Sequence, residues 1–302
     1  MNPDGDRPAG STAARRILVA LGGNALTREG DASPEAQRVA AEHAAEQLAE
    51  LVAAGHELAV THGNGPQVGN LLLKNEIARD AVPPVPLDWC VAQTQATLGY
   101  VIATALDRAL FRRGIERAVV VLITRVLVDP GDAAWSHPTK RIGQATPRLV
   151  PSPEPTRILD QDAITRLLDD GAVVVAAGGG GIPMVREGND LHGVEAVIDK
   201  DLCGALLATR IGAQQMLIAT DVAGVATAYG TREERWIDRI GVASLRGLVA
   251  AGEFGEGNML PKVEACARFV EAGGGRAMIA HLDQLLAAVE GGSGTLVEAG
   301  GP

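Results

Sequence analysis

Lys140, Lys200 and Lys262 are the residues whose type and position first suggest chemistry. Of the 27 basic residues only four are lysine, the fourth being Lys74, and all the others are arginine. Arginine presents a planar fork of donors, whereas lysine presents a compact ammonium that acts as a point charge. A chain that uses arginine almost everywhere and keeps lysine at a few positions points to places where the compact ion is required. For any one lysine taken alone, a coding bias with chance survivors explains it equally well. Lys200 lies between Asp199 and Asp201 in "GVEAVIDKDLCG", at a loop–helix junction where Asp199 is also a natural helix cap. Lys262 opens the helical pattern of "LPKVEACARFVEAGG". A lysine opposes the dipole at a helix N-terminus, so both placements call for an anion nearby.

Three glycine-rich segments supply the complementary feature. "ALGGNAL" holds Gly22, Gly23 and Asn24, and "THGNGPQVG" holds His62, Gly63, Asn64 and Gly65. "VVVAAGGGGIP" sets Gly178, Gly179, Gly180 and Gly181 directly after an apolar strand. Glycine adds nothing to a core and costs conformational entropy. It does let backbone N–H groups approach an anion with no Cβ in the way, and a helix start adds favourable partial charge. One such turn is equally well a tight connection with no ligand; three on one sheet edge point to bound phosphate. None fits GxxxxGK[ST] or a clean GxGxxG, and Pro183 stands where a Rossmann helix would begin. Asp221, just after a strand in "IATDVAGV", reads either as a nucleotide or Mg²⁺ contact or as a turn-forming aspartate. His62 reads equally as a structural or a catalytic histidine.

The elements that must position these groups alternate. Apolar strands are expected at 16–21, 56–63, 117–128, 172–181, 213–224 and, as the last strand, 275–282. Helices are expected from Ser33 as N-cap and Pro34 to a stop at Gly55, and over 65–80, 88–114, 159–171, 200–212 and 260–274. Strands alternating with helices imply a parallel sheet covered on both faces. The Pro-rich stretch 129–155 has no period and reads as an excursion from the sheet. The composition fits one large α/β domain: 302 residues, 46% hydrophobic and only 3% aromatic, so aliphatic packing dominates.

The net charge of -10 argues against a nucleic-acid partner. No run is apolar enough to cross a membrane and residues 1–14 lack a signal peptide's core; they read as a disordered tail. Cys90, Cys203 and Cys266, odd in number and far apart, read as buried thiols in a reducing compartment, which places the protein in the cytoplasm. No Cys/His cluster suggests a metal held by the protein.

"ILVALGGNAL", "THGNGPQVGN", "PLDWCVAQTQATLGY", "HPTKRIG", "VPSPEP", "AAGGGGIPMV", "GVEAVIDKDL", "TDVAGV" and "NMLPKVEACARFVEAGG" resemble, in order and over nearly the whole chain, the carbamate kinases of the amino acid kinase family. The resemblance implies an α/β fold, a three-layer αβα sandwich around a mainly parallel sheet of about eight strands, and a homodimer. It implies a single domain over 15–302, with an acceptor lobe over 15–170 and a nucleotide lobe over 171–302. It implies phosphoryl transfer between ATP and carbamate, running from carbamoyl phosphate and ADP toward ATP when carbamoyl phosphate comes from the breakdown of arginine or allantoin. Mg²⁺ would be held mainly by the nucleotide phosphates.

In that family Lys200 and Lys262 fall on lysines that contact the transferred phosphoryl group, and Lys140 falls on one that reaches the site from a protruding subdomain. The glycines at 22, 23, 63, 65 and 178–181, with Asn24 and Asn64, would line the substrate and its phosphate. The nucleotide would lie along Asp201, Thr220, Asp221, Val222, Met259 and Lys262. Two departures stand out. Only "QATPRL" separates "PTKRIG" from "VPSPEP", where the family carries a longer insert, so the lid over 129–155 is expected to be much reduced. "GNMLPK" puts Asn258 and Leu260 where the family has a serine and a glycine. A kinase of this fold acting on another small carboxylate or a phosphonate remains an alternative, as does a nucleotide or amino-acid sensor. A sensor has no use for three lysines aimed at a transferring phosphate.

Overall fold

A computed structural model describes residues 14–22, 31, 33–143, 147–255 and 259–301. The elements of the first half are β1 (Arg16–Leu21), α1 (Pro34–Ala53), β2 (Glu57–His62), α2 (Gly65–Ala78), α3 (Leu87–Arg112), β3 (Val119–Leu122), β4 (Arg125–Val128), β5 (Lys140–Ile142), β6 (Arg148–Val150), β7 (Pro155–Ile158) and α4 (Gln161–Asp169). The second half adds β8 (Val173–Ala176), β9 (Ile182–Glu187), β10 (Asp190–Gly193), α5 (Lys200–Arg210), β11 (Gln215–Thr220), β12 (Val225–Thr227), β13 (Arg235–Ile237), β14 (Arg239–Gly241), α6 (Val242–Ala250), α7 (Met259–Glu271), β15 (Arg276–His281), α8 (Leu285–Val289) and β16 (Thr295–Glu298).

Eight strands form one sheet in the order β14-β16-β15-β11-β1-β2-β8-β3. All neighbours are parallel except β15 and β16. β8 lies between β2 and β3, so a single sheet runs through both halves of the chain. The side-chain alternation of β1 shows why three layers form. Leu18 and Ala20 enter a core with Cys203 and Leu207 of α5 and Val263, Cys266 and Phe269 of α7. Ile17, Val19 and Leu21 enter the opposite core with Leu48 of α1 and Ile102 and Leu106 of α3. Both faces of β1 are therefore dry, which is why "RILVAL" is apolar without a break. The expected αβα sandwich is what forms.

Ser33 caps α1 by accepting from the Ala36 N–H at 3.2 Å, Pro34 is its first residue, and Gly55 leaves it with φ +90°. Other expectations need correction. The run 117–128 is two strands, not one. At the break the Thr124 N–H donates to Gln95 Oε1 (3.0 Å) and its hydroxyl to the Leu122 carbonyl (2.8 Å), which takes Thr124 out of the ladder. β4 then joins a second sheet, ordered β10-β9-β4-β7. The strand expected over 172–181 ends at Ala176, because Ala177 turns left-handed at φ 52°. The strand at 275–282 is not the last: β16 follows and pairs antiparallel with β15. The excursion over 129–155 leaves the main sheet as expected, and holds the two-stranded β5–β6 hairpin. Residues 1–13 lie outside the described residues, as do Gly23, Asn24 and Asn258.

Candidate active site

β11, β1, β2 and β8 are consecutive in the sheet, and their carboxyl ends carry Asp221, Gly22, the His62–Gly65 loop and the 178–181 glycines. Ligands of open parallel sheets bind beyond such ends. The register is close: Leu21 stands beside both Ala219 and His62.

Three of the four lysines converge there. Lys200, the first residue of α5, donates from Nζ to the Leu21 carbonyl (3.0 Å) and lies 3.0 Å from Asp201 Oδ1. Lys262, in the first turn of α7, reaches Asp201 Oδ2 at 3.1 Å. Lys140, the first residue of β5, reaches Asp199 Oδ2 at 2.5 Å. Asp199 also caps α5, its Oδ1 accepting from the N–H groups of Asp201 (2.9 Å) and Leu202 (3.2 Å). Lys74 is exposed on α2 and takes no part. The anion that the two helix-start lysines demanded is thus supplied in part by the chain itself: Asp201, 4% exposed, bridges them. Its own burial would raise its pKa, but Lys200 and Lys262 override that and hold it down at about 2. Burial pushes the Lys200 ammonium below its ordinary value, Asp201 opposing that and Lys262 adding to it. Three ammonium groups against two carboxylates leave the cluster net cationic and partly desolvated, the condition under which charge stabilisation of an incoming anion is strongest.

The glycine run has a packing role that sequence did not show. A Cβ on Gly178 would overlap the His62 ring and one on Gly179 the Asn64 amide; one on Gly180 would lie 2.6 Å from the Ile198 carbonyl oxygen. The expectation that these glycines all bare their amides to phosphate is corrected for several of them. Gly180 N–H donates to Ala177 and Gly181 N–H to Gly178, while Gly22 N–H donates to Ala219 and Gly63 N–H to Leu21. Among the described residues, the N–H groups of Gly65, Gly178 and Gly179 take no such bond. Gly179→Val, at φ +65°, is expected to cost at least about 2 kcal/mol in urea denaturation, from overpacking against Asn64 and left-handed strain. An unchanged midpoint would contradict that close approach.

His62 is buried, with Nδ1 3.0 Å from the Gly63 carbonyl, and its burial beside Lys200 pushes its pKa down to about 4. It is neutral near pH 7, and its ring lies against Gly178. Asn64 likewise turns inward, donating to Thr94 Oγ1 at 2.9 Å. Thr220 is buried at the end of β11 and donates to Asp221 Oδ1 at 3.1 Å, with Val222 half-buried next to it.

Residues 15–281 match the model of the amino acid kinase family. The chain belongs to that family. It is 41% identical to the carbamate kinase of Pyrococcus furiosus, over 94% of this chain and 99% of that protein. It is 42% identical to that of Halobacterium salinarum, over 93% and 97%. The solved carbamate kinase from Giardia lamblia bound to AMP-PNP shares the fold at a TM-score of 0.91 and 33% identity, covering 95% of this chain and 99% of that one. The alignment with the Pyrococcus protein spans 310 positions although only 94% of this 302-residue chain takes part, so that relative carries residues this chain lacks.

Within this amino acid kinase, Leu260 holds an ordinary helical backbone. It lies in the first turn of α7, outside the positive-φ residues, and packs against the core that α5 and α7 share with β1. A glycine's freedom is not needed there. Sequence reading also missed a buried polar brace. Gln95 Nε2 donates to the Thr124 carbonyl (3.2 Å), Thr124 Oγ1 accepts from the Ala177 N–H (2.9 Å), and Thr61 Oγ1 donates to the Ala177 carbonyl (2.8 Å). It ties α3 to the ends of β2, β3 and β8 and holds Ala177 in its turn. The signal was present in "AQTQAT": polar side chains on the buried face of an apolar helix.

Among the described residues no group of three His, Cys, Asp or Glu side chains could hold a metal ion. Asp199 and Asp201 face ammonium groups, which repel a divalent cation. The described donor set therefore forms no cage for a divalent cation.

Proposed function

We propose that this chain is a carbamate kinase, transferring a phosphoryl group reversibly between ATP and carbamate. The observation that carries this is the convergence of Lys140, Lys200 and Lys262 on Asp199 and Asp201 at the sheet edge, in a chain whose full-length relatives bear that name. In the direction of ATP formation, an ADP β-phosphate oxygen attacks the phosphorus of carbamoyl phosphate, the P–O bond to the carbamoyl group breaks, and carbamate leaves. Such chemistry depends on positioning and charge neutralisation. Lys200 and Lys262 would neutralise the equatorial oxygens, and Asp201 bridges the two. The amides of Gly65, Gly178 and Gly179, which bond to no backbone carbonyl among the described residues, remain as donors to acceptor or phosphate. The nucleotide runs past Thr220, Asp221, Val222 and Met259. A magnesium ion, held mainly by the nucleotide phosphates, would add to this charge neutralisation.

Lys140 approaches from the β5–β6 hairpin, which lies in the stretch where a lid is expected. Its contact with Asp199 means that the shortened arm still reaches the cluster. Lys140→Ala is expected to lower kcat/KM at least about tenfold, roughly 1.4 kcal/mol of transition-state stabilisation; a variant equal to wild type would place Lys140 outside the reaction. We also infer a homodimer acting in the cytoplasm. Trp89, Tyr100 and Phe111 recur at 11-residue spacing, three turns apart on one face of α3, and are 60%, 65% and 85% exposed. An aromatic-poor chain that exposes three aromatics in one stripe has a surface suited to a second copy. The three cysteines are buried and unpaired, and no helix among the described residues is long and apolar enough to cross a membrane. The deciding measurement is coupled ATP formation from carbamoyl phosphate and ADP. ATP from acetyl phosphate but not from carbamoyl phosphate would move the reading to another acceptor.

A further inference from the structure

We propose that Gly69 of α2 is a positioning residue for Lys140: it is the notch into which the lysine-bearing hairpin docks. This rests on the reading of Lys140 as a contact of the transferred phosphate.

A Cβ on Gly69 would overlap the Cα and N of Gly143 and lie 3.3 Å from the Ile142 carbonyl carbon. Helix and hairpin therefore meet backbone to backbone. Gly143 leaves β5 at φ +81°, and its N–H donates to the Gly65 carbonyl at 3.1 Å, one turn before Gly69. Lys140 and Ile142 are two residues apart and share a face of β5. That face drives Ile142, 2% exposed, into a small core with Val68, Leu87, Cys90, Val91 and Val197. It also delivers Lys140 to Asp199. Behind the hairpin, the Val197 N–H donates to the Pro151 carbonyl at 3.0 Å, which ties its base to the loop leading into Asp199. The arm is thus fixed at both ends, and one of its anchors is the turn of α2 that begins with Gly65 of the substrate loop. Docking against Gly69 sets the distance between that loop and the Lys140 ammonium.

The geometry makes a separable prediction because alanine is a better helix former than glycine. If Gly69 served α2 alone, Gly69→Ala would leave the enzyme as stable or more so, and as active. As a positioning residue, Gly69→Ala is expected to lower kcat about tenfold with KM for ADP little changed, and to speed hydrogen exchange over 138–151, the Gly143 amide above all. In Gly69→Ala/Lys140→Ala the two losses should not multiply: the double variant should match Lys140→Ala. Ile142→Ala, which removes the other anchor without touching α2, should act in the same direction and serves if Gly69→Ala fails to fold. Losses that multiply, or unchanged hairpin exchange, would overturn the proposal. A wild type that makes no ATP from carbamoyl phosphate would sink the functional reading instead, while the exchange data would still decide whether Gly69 docks the hairpin.

Discussion

Lys200→Ala and Lys262→Ala are each expected to lower kcat by about 10²-fold or more, the scale for losing one preorganised electrostatic contact in a water-poor site. Each ammonium is held before substrate arrives, Lys200 by the Leu21 carbonyl and Asp201, Lys262 by Asp201. Neither must reorganise as charge shifts to the transferring phosphoryl group. The arginine variants are equally informative. The pocket around Asp201 admits two compact ions 3.0 and 3.1 Å from its two oxygens. A guanidinium there needs a wider, planar approach, so Lys262→Arg should stay well below wild type. Steady-state kinetics in the ATP-forming direction checks both. Wild-type kcat in Lys262→Arg would show that the scarcity of lysine elsewhere says nothing about the need for ammonium here.

How much of this was legible in the sequence depends on the range of the interactions. The strands and helices around the site were, because their apolar periods and caps are local: Ser33, Pro34 and Gly55 bound α1 as their types dictate. The lysines were legible by scarcity and by their conflict with helix dipoles. Their mutual geometry was not, since Lys140, Lys200 and Lys262 meet only through tertiary contacts. The glycine run announced a backbone in close quarters but not its neighbours: the His62 ring and the Asn64 amide lie far away in sequence, and the Ile198 carbonyl beyond two intervening strands. The break at Thr124 was hidden for the same reason. Nothing in "VVVLITRVLV" marks it, because the partner that ends the strand is Gln95 on α3. β16 and α6 went unread because short, glycine-flanked segments such as "GTLVEAGG" carry too few residues to establish a period.

Asp201→Asn isolates what the shared counterion does. The change is isosteric and removes one charge from a site where Asp201 and Lys200 are 4% and 9% exposed. Breaking a buried ion pair from one side leaves its partner's charge uncompensated, which costs roughly 3–5 kcal/mol; here two lysines are left facing each other. The pH dependence should identify the cause. In the wild type Asp201 titrates at about 2, below the ordinary 3.8, so the stability it contributes is present above the ordinary value and lost as pH falls through about 2. The gap between wild type and variant should therefore narrow in acid, where the wild-type carboxyl is protonated. On the basic side, Lys200 is already lowered by burial, and Asp201 is the main group raising it. Without Asp201 it must fall further. A lysine whose folded pKa lies below its unfolded value destabilises while charged and ceases to do so once deprotonated. The variant should thus recover stability as pH rises toward 10.5, and the gap should be widest near neutrality. Activity should move the opposite way: the transferring phosphoryl group needs the charged ammonium, so the basic limb of the kcat–pH profile should shift to lower pH. Thermal melts from pH 2 to 10 and kcat profiles on the same protein read both effects. A stability gap independent of pH would mean that Asp201 contributes packing alone. A basic limb left in place would mean that Lys200 does not depend on Asp201 to stay charged.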